Sequence, residues 1–531
     1  MPGTNTRPLG AQISHMLRAR GVDVIFGIPG VHNQEMYRGI EEAGIRHVLA
    51  RHEQGAGFMA DGYARATGQP GVAYVITGPG MCNIMTPMGQ AYSDSVPMLV
   101  ISSCLDEVAA RRGQLHQMKD QRAAAETVCD WSEEAGTAEA AYALVDRALT
   151  EFSSARARSK HLQVPIALLE AQAPAAPAPL DAPRPPHPNP EDVTMTANLL
   201  EAAERPLFIF GGGAAGAADA ARAVTQATGA ASMTSYAGRG IIASDDPLHF
   251  GACLARPDSA NVLAKADLVV AVGTELAEID LWRAQLGHGG ALVRVDIDPE
   301  VLADPQRAHH PVRAEAGAFL SALRSALEGA APATGWDAGR VAAARQRWRS
   351  EVDAEYPGVL PVADALRDCL PADCMIYSDM TQFGYAAEEA WPLDRPGHWH
   401  HPFGFGTLGY SLPAAIGGAI GRPGLPTLAI IGDYGFHYTM AELGVAVELG
   451  LSLPILLWDN GKLGAIEASM IGAQIAPNAV IARNPNFVKL AEAFGAHAVA
   501  PTTLGEMQEA VRTAFDQDGP TLIYVTPDIA V

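Results

Sequence analysis

Short apolar runs alternate along the chain with longer stretches in which apolar residues recur at helical spacing. In the first third of the chain, the apolar runs lie at Val24–Gly27, His47–Ala50, Val72–Thr77 and Met98–Ser102. Helical patterns between them cover Gln54–Thr67 and Ile84–Asp94. Because buried parallel strands read as continuous apolar runs and are joined by helices, this alternation predicts an open, doubly wound sheet.

The same alternation returns twice further along the chain. The predicted strands of these two later regions lie at Leu207–Phe210, Leu268–Val272, Leu292–Val295, Met375–Ser378, Thr427–Ile431 and Pro454–Trp458. The Pro- and Ala-rich stretch Ala171–Asp192 and the segment Gly329–Gly335 are predicted linkers. We therefore predict an α/β fold of three doubly wound parallel-sheet domains, at residues 1–175, 193–330 and 340–531.

The stretch from Thr427 to Ile466 predicts a strand, a tight turn, a helix and a second strand. The turn is predicted at Gly432–Gly435, and the helix at Tyr438–Leu449 with Glu442 and Glu448 on its solvent side. A unit of this kind joins two parallel neighbours by a right-handed crossover.

Asp433 and Asn460 each follow one of these two strands. Parallel neighbours lie roughly 5 Å apart, so the two side-chain oxygens are placed to converge on one small cation. A carboxylate and an amide oxygen, short of a full cage, suit Mg²⁺ shared with phosphate groups. The glycines and the helix N-terminus suit the phosphates themselves. The alternative is an ordinary strand–helix turn with a solvated aspartate.

Composition narrows the class of protein. A chain of 531 residues with 48% hydrophobic and 18% charged residues is typical of a large globular enzyme with two to four domains. The net charge of −22 argues against general nucleic-acid binding and against anionic membrane surfaces. Six scattered cysteines, no secretory pattern at the start and no apolar stretch of membrane-spanning length predict a cytoplasmic protein with reduced cysteines.

Three motifs together resemble one enzyme family. Gly432-Asp433 is followed 27 positions after Asp433 by Asn460, although Tyr434 and Asp459 depart from the usual GDG and NN residues. HEQGAGFMADGYAR (His52–Arg65) and ITGPGMCNIMTPMGQAYSDSVPML (Ile76–Leu99) resemble the matching segments of the family. The chain is identified as a member of the thiamine-diphosphate-dependent family that contains 2-oxo acid decarboxylases and acetolactate synthases.

The resemblance implies thiamine diphosphate and Mg²⁺ as cofactors, and pyrimidine-binding, central and diphosphate-binding domains in chain order. The resemblance implies that Glu53 forms a hydrogen bond to the cofactor pyrimidine, and that this bond promotes proton loss from the thiazolium carbon. The alternative is that Glu53 is an ordinary acidic residue in the first turn of a helix. The implied metal ligands are Asp433, Asn460 and the backbone oxygen of Lys462. The family further implies diphosphate contacts from Thr381 and Gln382, a backbone acceptor at Gly406 and an apolar wedge at Leu408; the other implied cofactor contacts are Pro29, Asn83, Gly432, Tyr434, Gly435, Leu463 and Gly464.

Residues expected to act on the substrate come from two segments. The stretch Arg111–Asp120 is a predicted loop over the site, and the resemblance places His116 and Gln117 opposite the reacting carbonyl; a loop histidine is otherwise a common surface residue. By the same resemblance, Glu467 lies where decarboxylases of the family carry an acidic residue that acetolactate synthases lack. This residue favours a decarboxylase that releases an aldehyde and CO₂. The alternative is a carboligase that joins the decarboxylated fragment to a second 2-oxo acid.

The substrate and the central domain leave further alternatives. The segments Gly27–His32 and Leu115–Arg122 are similar to 5-guanidino-2-oxopentanoate decarboxylases, and Glu467, Glu275 or Glu278 has the charge to meet a guanidinium. GGGAAG at Gly211–Gly216 fits a dinucleotide-binding pattern, but a structural glycine turn is the preferred interpretation and FAD is not expected. A catalytically silent scaffold and a dehydrogenase are more distant alternatives. The resemblance implies a homodimer or homotetramer with active sites at the subunit interface.

Overall fold

A computed structural model of the protein describes residues 6–107, 112–304 and 308–530. Residue contacts divide the chain into two compact units. The first contains residues 1–183, 374–381 and 401–530, and the second contains residues 184–373 and 382–400. The first unit therefore joins the N-terminal and the C-terminal parts of the chain.

The N-terminal part of the first unit contains a parallel sheet of six strands. This part of the chain contains eight strands, of which six form the parallel sheet: β1 (Arg7–Pro8), β2 (Val24–Gly27), β3 (Arg46–Leu49), β4 (Gly71–Val75), β5 (Met98–Cys104), β6 (Trp131–Glu134), β7 (Lys160–Pro165) and β8 (Gln172–Ala173). Its helices are α1 (Leu9–Ala19), α2 (Gln34–Glu42), α3 (Glu53–Thr67), α4 (Pro79–Ser93), α5 (Gln121–Glu126), α6 (Ala138–Ser154) and α7 (Ile166–Glu170). The six-stranded order is β3-β2-β4-β5-β7-β6, while β1 and β8 form a separate antiparallel pair.

Alternate residues of this sheet face two apolar cores, as a doubly wound sheet requires. Phe26, Ala73 and Val100 belong to one core, and their strand neighbours Ile25 and Tyr74 belong to the other. The predicted doubly wound sheet is confirmed. The predicted linker from residue 171 is largely irregular, but its beginning, Gln172–Ala173, pairs with Arg7–Pro8 and its end starts a helix at Pro190.

The second unit contains a five-stranded parallel sheet. Its elements are α8 (Pro190–Ala202), β9 (Pro206–Phe210), α9 (Ala218–Thr228), β10 (Ala231–Thr234), α10 (Ser259–Leu263), β11 (Leu268–Val272), α11 (Glu278–Leu281), β12 (Ala291–Asp296), α12 (Pro299–Leu302), β13 (His310–Arg313), α13 (Ala316–Ala326), α14 (Ala338–Glu355) and α15 (Val359–Cys369). The strand order is β10-β9-β11-β12-β13. Gly211–Gly216 leads from β9 into a short 3₁₀ helix, and a Cβ on Gly213 would lie only 3.0 Å from the Cα of Gly273. This close approach is a structural reason for glycine at these positions.

The C-terminal elements begin with β14 (Met375–Ser378) and carry the third parallel sheet. The following elements are α16 (Gln382–Ala390), β15 (Trp399–His400), α17 (Ser411–Gly421), β16 (Thr427–Gly432), α18 (Asp433–Thr439), α19 (Leu443–Glu448), β17 (Pro454–Trp458), α20 (Gly464–Gly472), α21 (Phe487–Phe494), β18 (His497–Val499), α22 (Leu504–Ala514) and β19 (Thr521–Val525). Strands β14, β16, β17, β19 and β18 lie in that order and are parallel. Three doubly wound parallel-sheet regions are thus present, as predicted.

Two details of the Thr427–Ile466 stretch differ from the prediction. The predicted tight turn at Gly432–Gly435 is the beginning of α18, which starts at Asp433 directly after β16. The helix predicted at Tyr438–Leu449 is divided, because a 3₁₀ turn at Met440–Glu442 separates α18 from α19. Glu448 is exposed as predicted, but the prediction for Glu442 is wrong, since its side chain is 1% exposed.

Helices α3 and α17 cross at close range within the first unit, and small residues make this possible. A Cβ on Gly62 of α3 would overlap the backbone of Ala414 in α17, and a Cβ on Gly417 would overlap the backbone of Met59. Tyr377 donates a 2.7 Å hydrogen bond to the Gly62 carbonyl from the neighbouring strand β14. This packing fixes α3 against the C-terminal half of the unit.

The remaining expectations concern cysteines and membranes. Cys82 is exposed, and the other five cysteines are buried. Within the described ranges, no helix has both the length and the apolar character needed to cross a membrane.

Candidate active site

Glu53 is the first residue of α3, and its position follows from the helix cap. His52 is the N-cap, and its Nδ1 accepts a 3.1 Å hydrogen bond from the backbone N–H of Gln54. The Glu53 carboxylate is 8% exposed and accepts a 2.8 Å hydrogen bond from the side-chain amide of Asn83 on α4. Two of the predicted site residues therefore meet, and Asn83 fixes one carboxylate oxygen of Glu53.

The segment after β4 connects Glu53 with the loop that carries His116. A Cβ on Gly80 would lie 3.3 Å from Glu53 Oε1, and a Cβ on Gly78 would overlap the carbonyl of His116. Gly78 has a φ of 72°, and its N–H donates a 2.8 Å hydrogen bond to Gln121 Oε1. The glycines thus allow the Glu53 carboxylate and the His116 backbone to approach the same short segment from two sides.

The predicted loop is irregular over residues 112–120, while Arg111 lies outside the described residues. His116 has a φ of 62°, and its ring meets the ring of His32 edge to face with centroids 4.9 Å apart. Gln117 Oε1 accepts a 2.9 Å hydrogen bond from the N–H of Gly113. Gln117 therefore holds the loop together, and the residue that joins His116 is His32, which the sequence analysis did not select as a site residue.

Asp433 lies at the end of β16, where the sequence places it, and is 3% exposed. Burial raises the pKa of its carboxyl to about 6, although a hydrogen bond from Asn484 opposes that rise. Asn484 donates its side-chain N–H groups to Asp433 Oδ2 at 2.7 Å and to Asp459 Oδ1 at 2.9 Å, and Tyr524 donates to Asp459 Oδ2 at 2.8 Å. Asn484 and Tyr524 were missed because nothing near them in sequence marks them as site residues.

The residues after β17 form a second compact group. Asn460 Oδ1 accepts a 3.2 Å hydrogen bond from the N–H of Lys462, and the Lys462 ammonium lies 2.6 Å from Glu467 Oε2. Leu463 is the N-cap of α20 and Gly464 is its first residue, so Glu467 lies in the first turn. The structure therefore brings Glu467 together with one of the residues predicted to serve the metal.

The other predicted cofactor contacts surround Asp379, a buried residue at the end of β14. A Cβ on Gly432 would lie 3.2 Å from Thr381 Oγ1, so glycine allows the ends of β14 and β16 to approach. Asp379 accepts hydrogen bonds from the N–H groups of Met380 at 2.8 Å and Gly409 at 3.0 Å. Burial raises the pKa of Asp379 to about 6. Asp379 thus supports the Gly406–Gly409 loop, although sequence reasoning gave it no role.

The remaining predicted residues vary in exposure. Gly406 and Gly409 have φ values of 65° and 83°, which glycine adopts without strain, and Leu408 between them is half-buried. Pro29 is exposed, Tyr434 is half-buried, Gly435 is buried beside Asp379, and Gln382 is the first residue of α16. Glu275 and Glu278 lie in the second unit, where they line a cavity of about 580 Å³ with Trp282.

The donors near β16 and β17 are compatible with a magnesium ion shared with a diphosphate. They comprise the buried carboxylate of Asp433, the amide oxygen of Asn460 and the backbone of Lys462, which are hard oxygen donors of the kind Mg²⁺ prefers. No cluster of three His, Cys, Asp or Glu side chains able to hold a metal is found among the residues that the structure describes. The protein would therefore supply only part of the coordination shell, and phosphate oxygens and water the remainder.

Comparison with family models covers all three sheet regions. The model described as the N-terminal TPP binding domain of thiamine pyrophosphate enzymes matches residues 7–124, the central-domain model matches residues 193–323, and the C-terminal TPP binding domain model matches residues 379–525. The chain belongs to the thiamine pyrophosphate enzyme family. The resemblance noted in the sequence is thereby confirmed.

Relatives within the thiamine pyrophosphate enzyme family match nearly the full chain. The probable 2-ketoarginine decarboxylase AruI of Pseudomonas aeruginosa is 42% identical, over 98% of this chain and 94% of its own length. The acetolactate synthase isozyme 2 large subunit of Escherichia coli is 28% identical over 98% and 95% of the two chains. The mitochondrial acetolactate synthase catalytic subunit of Saccharomyces cerevisiae is 26% identical over 98% and 80%. All three relatives are named as enzymes, and this chain is an enzyme of the same family.

Proposed function

We propose that this protein is a thiamine-diphosphate- and Mg²⁺-dependent decarboxylase that converts a 2-oxo acid to an aldehyde and CO₂. The observation that carries the proposal is the 42% identity with the probable 2-ketoarginine decarboxylase over nearly the whole of both chains. The same similarity favours 5-guanidino-2-oxopentanoate, which is 2-ketoarginine, as the substrate.

The chain's own residues have distinct tasks in this proposal. Bound thiamine diphosphate supplies a nucleophilic carbon and accepts the electron pair released when CO₂ leaves. Glu53 holds a proton at the cofactor pyrimidine, and Asn83 orients the carboxylate through its 2.8 Å hydrogen bond. Asp433, Asn460 and the Lys462 backbone oxygen hold Mg²⁺, and Gly432 and Gly435, which have no side chains, leave space for the diphosphate.

Three residues are proposed to act on the substrate itself. Glu467 delivers the proton that the carbon needs after CO₂ has left, and its ion pair with Lys462 holds the carboxyl in the first turn of α20. His116 and Gln117 lie on the loop that closes the polar side of the substrate site. The carboxylate that meets the guanidinium group is proposed to be Glu467, with Glu275 or Glu278 as the alternatives.

A carboligase of the acetolactate synthase type is the second candidate. It is favoured by the acetolactate synthases among the full-length relatives at 26–28% identity. In that case the decarboxylated fragment is joined to a second 2-oxo acid instead of being protonated. A catalytically silent scaffold is disfavoured, because Glu53, Asp433 and Asn460 are all retained.

We further propose a cytoplasmic homodimer or homotetramer with domains at 1–175, 193–330 and 340–531. Large apolar side chains that are exposed on the first unit support association; they include Val31, Leu115, Ile466 and Ile471. Exposed apolar groups of this kind mark protein–protein contact surfaces when they lie together. Sedimentation velocity with and without thiamine diphosphate and Mg²⁺ tests the oligomer.

Product analysis tests the function. The pure protein is incubated with thiamine diphosphate, Mg²⁺ and separate 2-oxo acids, including 5-guanidino-2-oxopentanoate, pyruvate and a branched 2-oxo acid. We expect CO₂ with a stoichiometric amount of aldehyde, and the highest kcat/KM for the guanidino acid. CO₂ accompanied by acetolactate or another 2-hydroxyketone identifies the carboligase instead, and equal kinetics with pyruvate removes the guanidino assignment.

A further inference from the structure

His32 and His116 form a pair of imidazoles beside the segment that contacts Glu53. Their ring centroids are 4.9 Å apart and their planes meet at 67°, an edge-to-face arrangement. His32 comes from the loop after β2 and His116 from the loop at residues 112–120. The pair is therefore assembled from two loops at the carboxyl ends of parallel strands, which is where ligands bind in open α/β sheets.

Both loops are held in place by specific contacts. In the first loop, Asn33, which follows His32 in the chain, accepts a 2.7 Å hydrogen bond at Oδ1 from the N–H of Gly30. In the second, the His116 backbone has a φ of 62°, which a non-glycine residue adopts only at a cost, and its carbonyl packs against Gly78. The surrounding structure holds the His116 backbone in this strained conformation. The fold therefore determines where the His116 ring lies.

The two imidazoles also have unused hydrogen-bonding capacity. The Nδ1 atoms of His32 and His116 are both buried and have no hydrogen-bond partner in the described part of the chain. Buried polar atoms in native proteins nearly always have a partner, which is protein, ordered water or ligand. Two unpaired nitrogens at one contact therefore indicate a polar ligand or a water that a ligand replaces.

The charges around the pair limit its protonation. Burial lowers the pKa of His32, the nearby His116 lowers it further, and Asp106 acts in the opposite direction. Even without a charge, each imidazole carries one N–H donor, and two such donors suit the two oxygens of a single small anion such as a carboxylate.

We propose that His32 is a second substrate-site histidine, and that His32 and His116 together bind the carboxylate of the 2-oxo acid. This inference rests on the proposed function, because it identifies what the pair recognises in the same site. It assigns specificity for an α-oxo carboxylate to two histidines on different loops, while the side chain of the acid is recognised elsewhere. His32 is then required for substrate affinity and not for cofactor binding.

Two variants of His32 separate hydrogen bonding from packing. His32→Phe keeps an aromatic ring against His116 but removes every N–H, and His32→Gln keeps an N–H donor but loses the ring. We expect His32→Phe to raise KM for the 2-oxo acid about 10- to 100-fold, and His32→Gln to raise it less. His15→Asn is the matched control, because His15 is a surface histidine paired with Glu42, and its kinetics should equal the wild type's.

A second readout keeps this test separate from the proposed function. The probe is the analogue of the best 2-oxo acid in which a phosphonate replaces the carboxylate, so that no CO₂ can leave, and its binding to the thiamine-diphosphate- and Mg²⁺-loaded enzyme is measured by calorimetry. Thermal stabilisation by the cofactors alone is measured in parallel. The expected result is weaker analogue binding by His32→Phe and His116→Phe, a less than additive effect in the double variant, and unchanged cofactor stabilisation.

The outcomes are distinguishable. Analogue binding that His32→Phe leaves unchanged overturns the proposal, and so does an equal loss of cofactor stabilisation, which would make His32 a structural residue. A wild-type enzyme that binds the analogue through His32 but decarboxylates no 2-oxo acid contradicts the proposed function and supports the anion site. A wild-type enzyme that does neither overturns both.

Discussion

The carboxylate of Glu442 accepts a 2.9 Å hydrogen bond from the backbone N–H of His52, the N-cap of α3. Its two oxygens also accept from the N–H of Arg51 at 3.2 and 3.1 Å. Glu442 therefore pairs with backbone groups immediately before Glu53, although it lies some 390 positions further along the chain. A Cβ on Gly55 would overlap this carboxylate, which explains glycine in the first turn of α3. The position of Glu53 thus depends on a residue that follows α18.

The first prediction concerns the pH dependence of stability through Glu442. Burial raises the pKa of this carboxyl from its ordinary value of 4.5 to about 7. Because the pKa is higher in the folded state, the stabilising contribution is fully present below about pH 4.5 and is lost as the pH rises to about 7. The free energy of unfolding of the wild type, relative to Glu442→Gln, should fall by about 3 kcal/mol across that window.

Urea denaturation at pH 4.5, 6 and 8 measures this difference. Glu448→Gln is the matched control, because Glu448 is an exposed glutamate six residues away and its ion pair with Arg51 lies at the surface. The control should show the pH dependence of the wild type. A Glu442→Gln variant whose stability follows the wild type in parallel at all three pH values contradicts the prediction.

The second prediction tests Glu53 and its hydrogen bond. Glu53→Gln retains the size of the side chain but cannot hold the proton that the proposed role requires. We expect its turnover to fall by about 10²- to 10⁴-fold, while thiamine diphosphate and Mg²⁺ still raise the melting temperature. Asn83→Ala removes only the 2.8 Å hydrogen bond to Glu53, and its turnover should fall by about tenfold. CO₂ release from the best 2-oxo acid is the assay, and full turnover by Glu53→Gln would remove Glu53 from the mechanism.

The sequence was sufficient for the sheets because their signal is local. The predicted strands Val24–Gly27, Leu268–Val272 and Pro454–Trp458 have the observed bounds, since uninterrupted apolar residues define a buried parallel strand. Asp433 at the end of β16 followed from the same pattern. Local signals therefore predict both the sheets and the residues directly attached to their ends.

The errors concern residues whose partners are distant in sequence. Helical periodicity placed Glu442 in solvent, but the structure buries it. The N–H groups of Arg51 and His52 that pair with its carboxylate belong to another sheet region, so the local pattern does not contain them. Asn484 was missed for the same reason, since its partners Asp433 and Asp459 lie 51 and 25 positions away. Folding creates these contacts, and a pattern along the chain does not contain them.

The third prediction separates the two aspartates that Asn484 bridges. Asp433→Asn removes the proposed metal ligand, so thiamine diphosphate and Mg²⁺ should no longer stabilise the protein. Asp459→Asn restores the asparagine typical of the family and should keep the stabilisation. At a cofactor concentration 100 times Kd, the wild type should gain about 2.7 kcal/mol. Differential scanning fluorimetry with and without both cofactors measures it.

The reverse pattern, with Asp459→Asn losing the cofactor response and Asp433→Asn keeping it, would transfer the metal-binding role to Asp459. Asn484→Ala provides a further check, because it removes the shared hydrogen-bond donor but neither carboxylate. Its response to the cofactors should resemble that of Asp459→Asn. A loss as complete as in Asp433→Asn would make Asn484 part of the metal site.

The fourth prediction decides between decarboxylase and carboligase through Glu467. Glu467 lies in the first turn of α20, and its carboxylate is 2.6 Å from the Lys462 ammonium. If it delivers the proton that completes the aldehyde, Glu467→Gln should lower aldehyde formation by about 10²-fold and leave the stabilisation by the cofactors unchanged. Any 2-hydroxyketone by-product should then form a larger share of the total, because the unprotonated fragment remains available to a second carbonyl.

Lys462→Met is the control for this fourth prediction, since it removes the ion pair but keeps both the carboxyl of Glu467 and the backbone oxygen at position 462. Its loss of aldehyde formation should be much smaller than that of Glu467→Gln. Chromatographic quantification of aldehyde and 2-hydroxyketone against released CO₂ gives both values in one assay. An aldehyde yield that does not change in Glu467→Gln would exclude Glu467 as the proton donor, and a 2-hydroxyketone as the main product of the wild type would identify the carboligase.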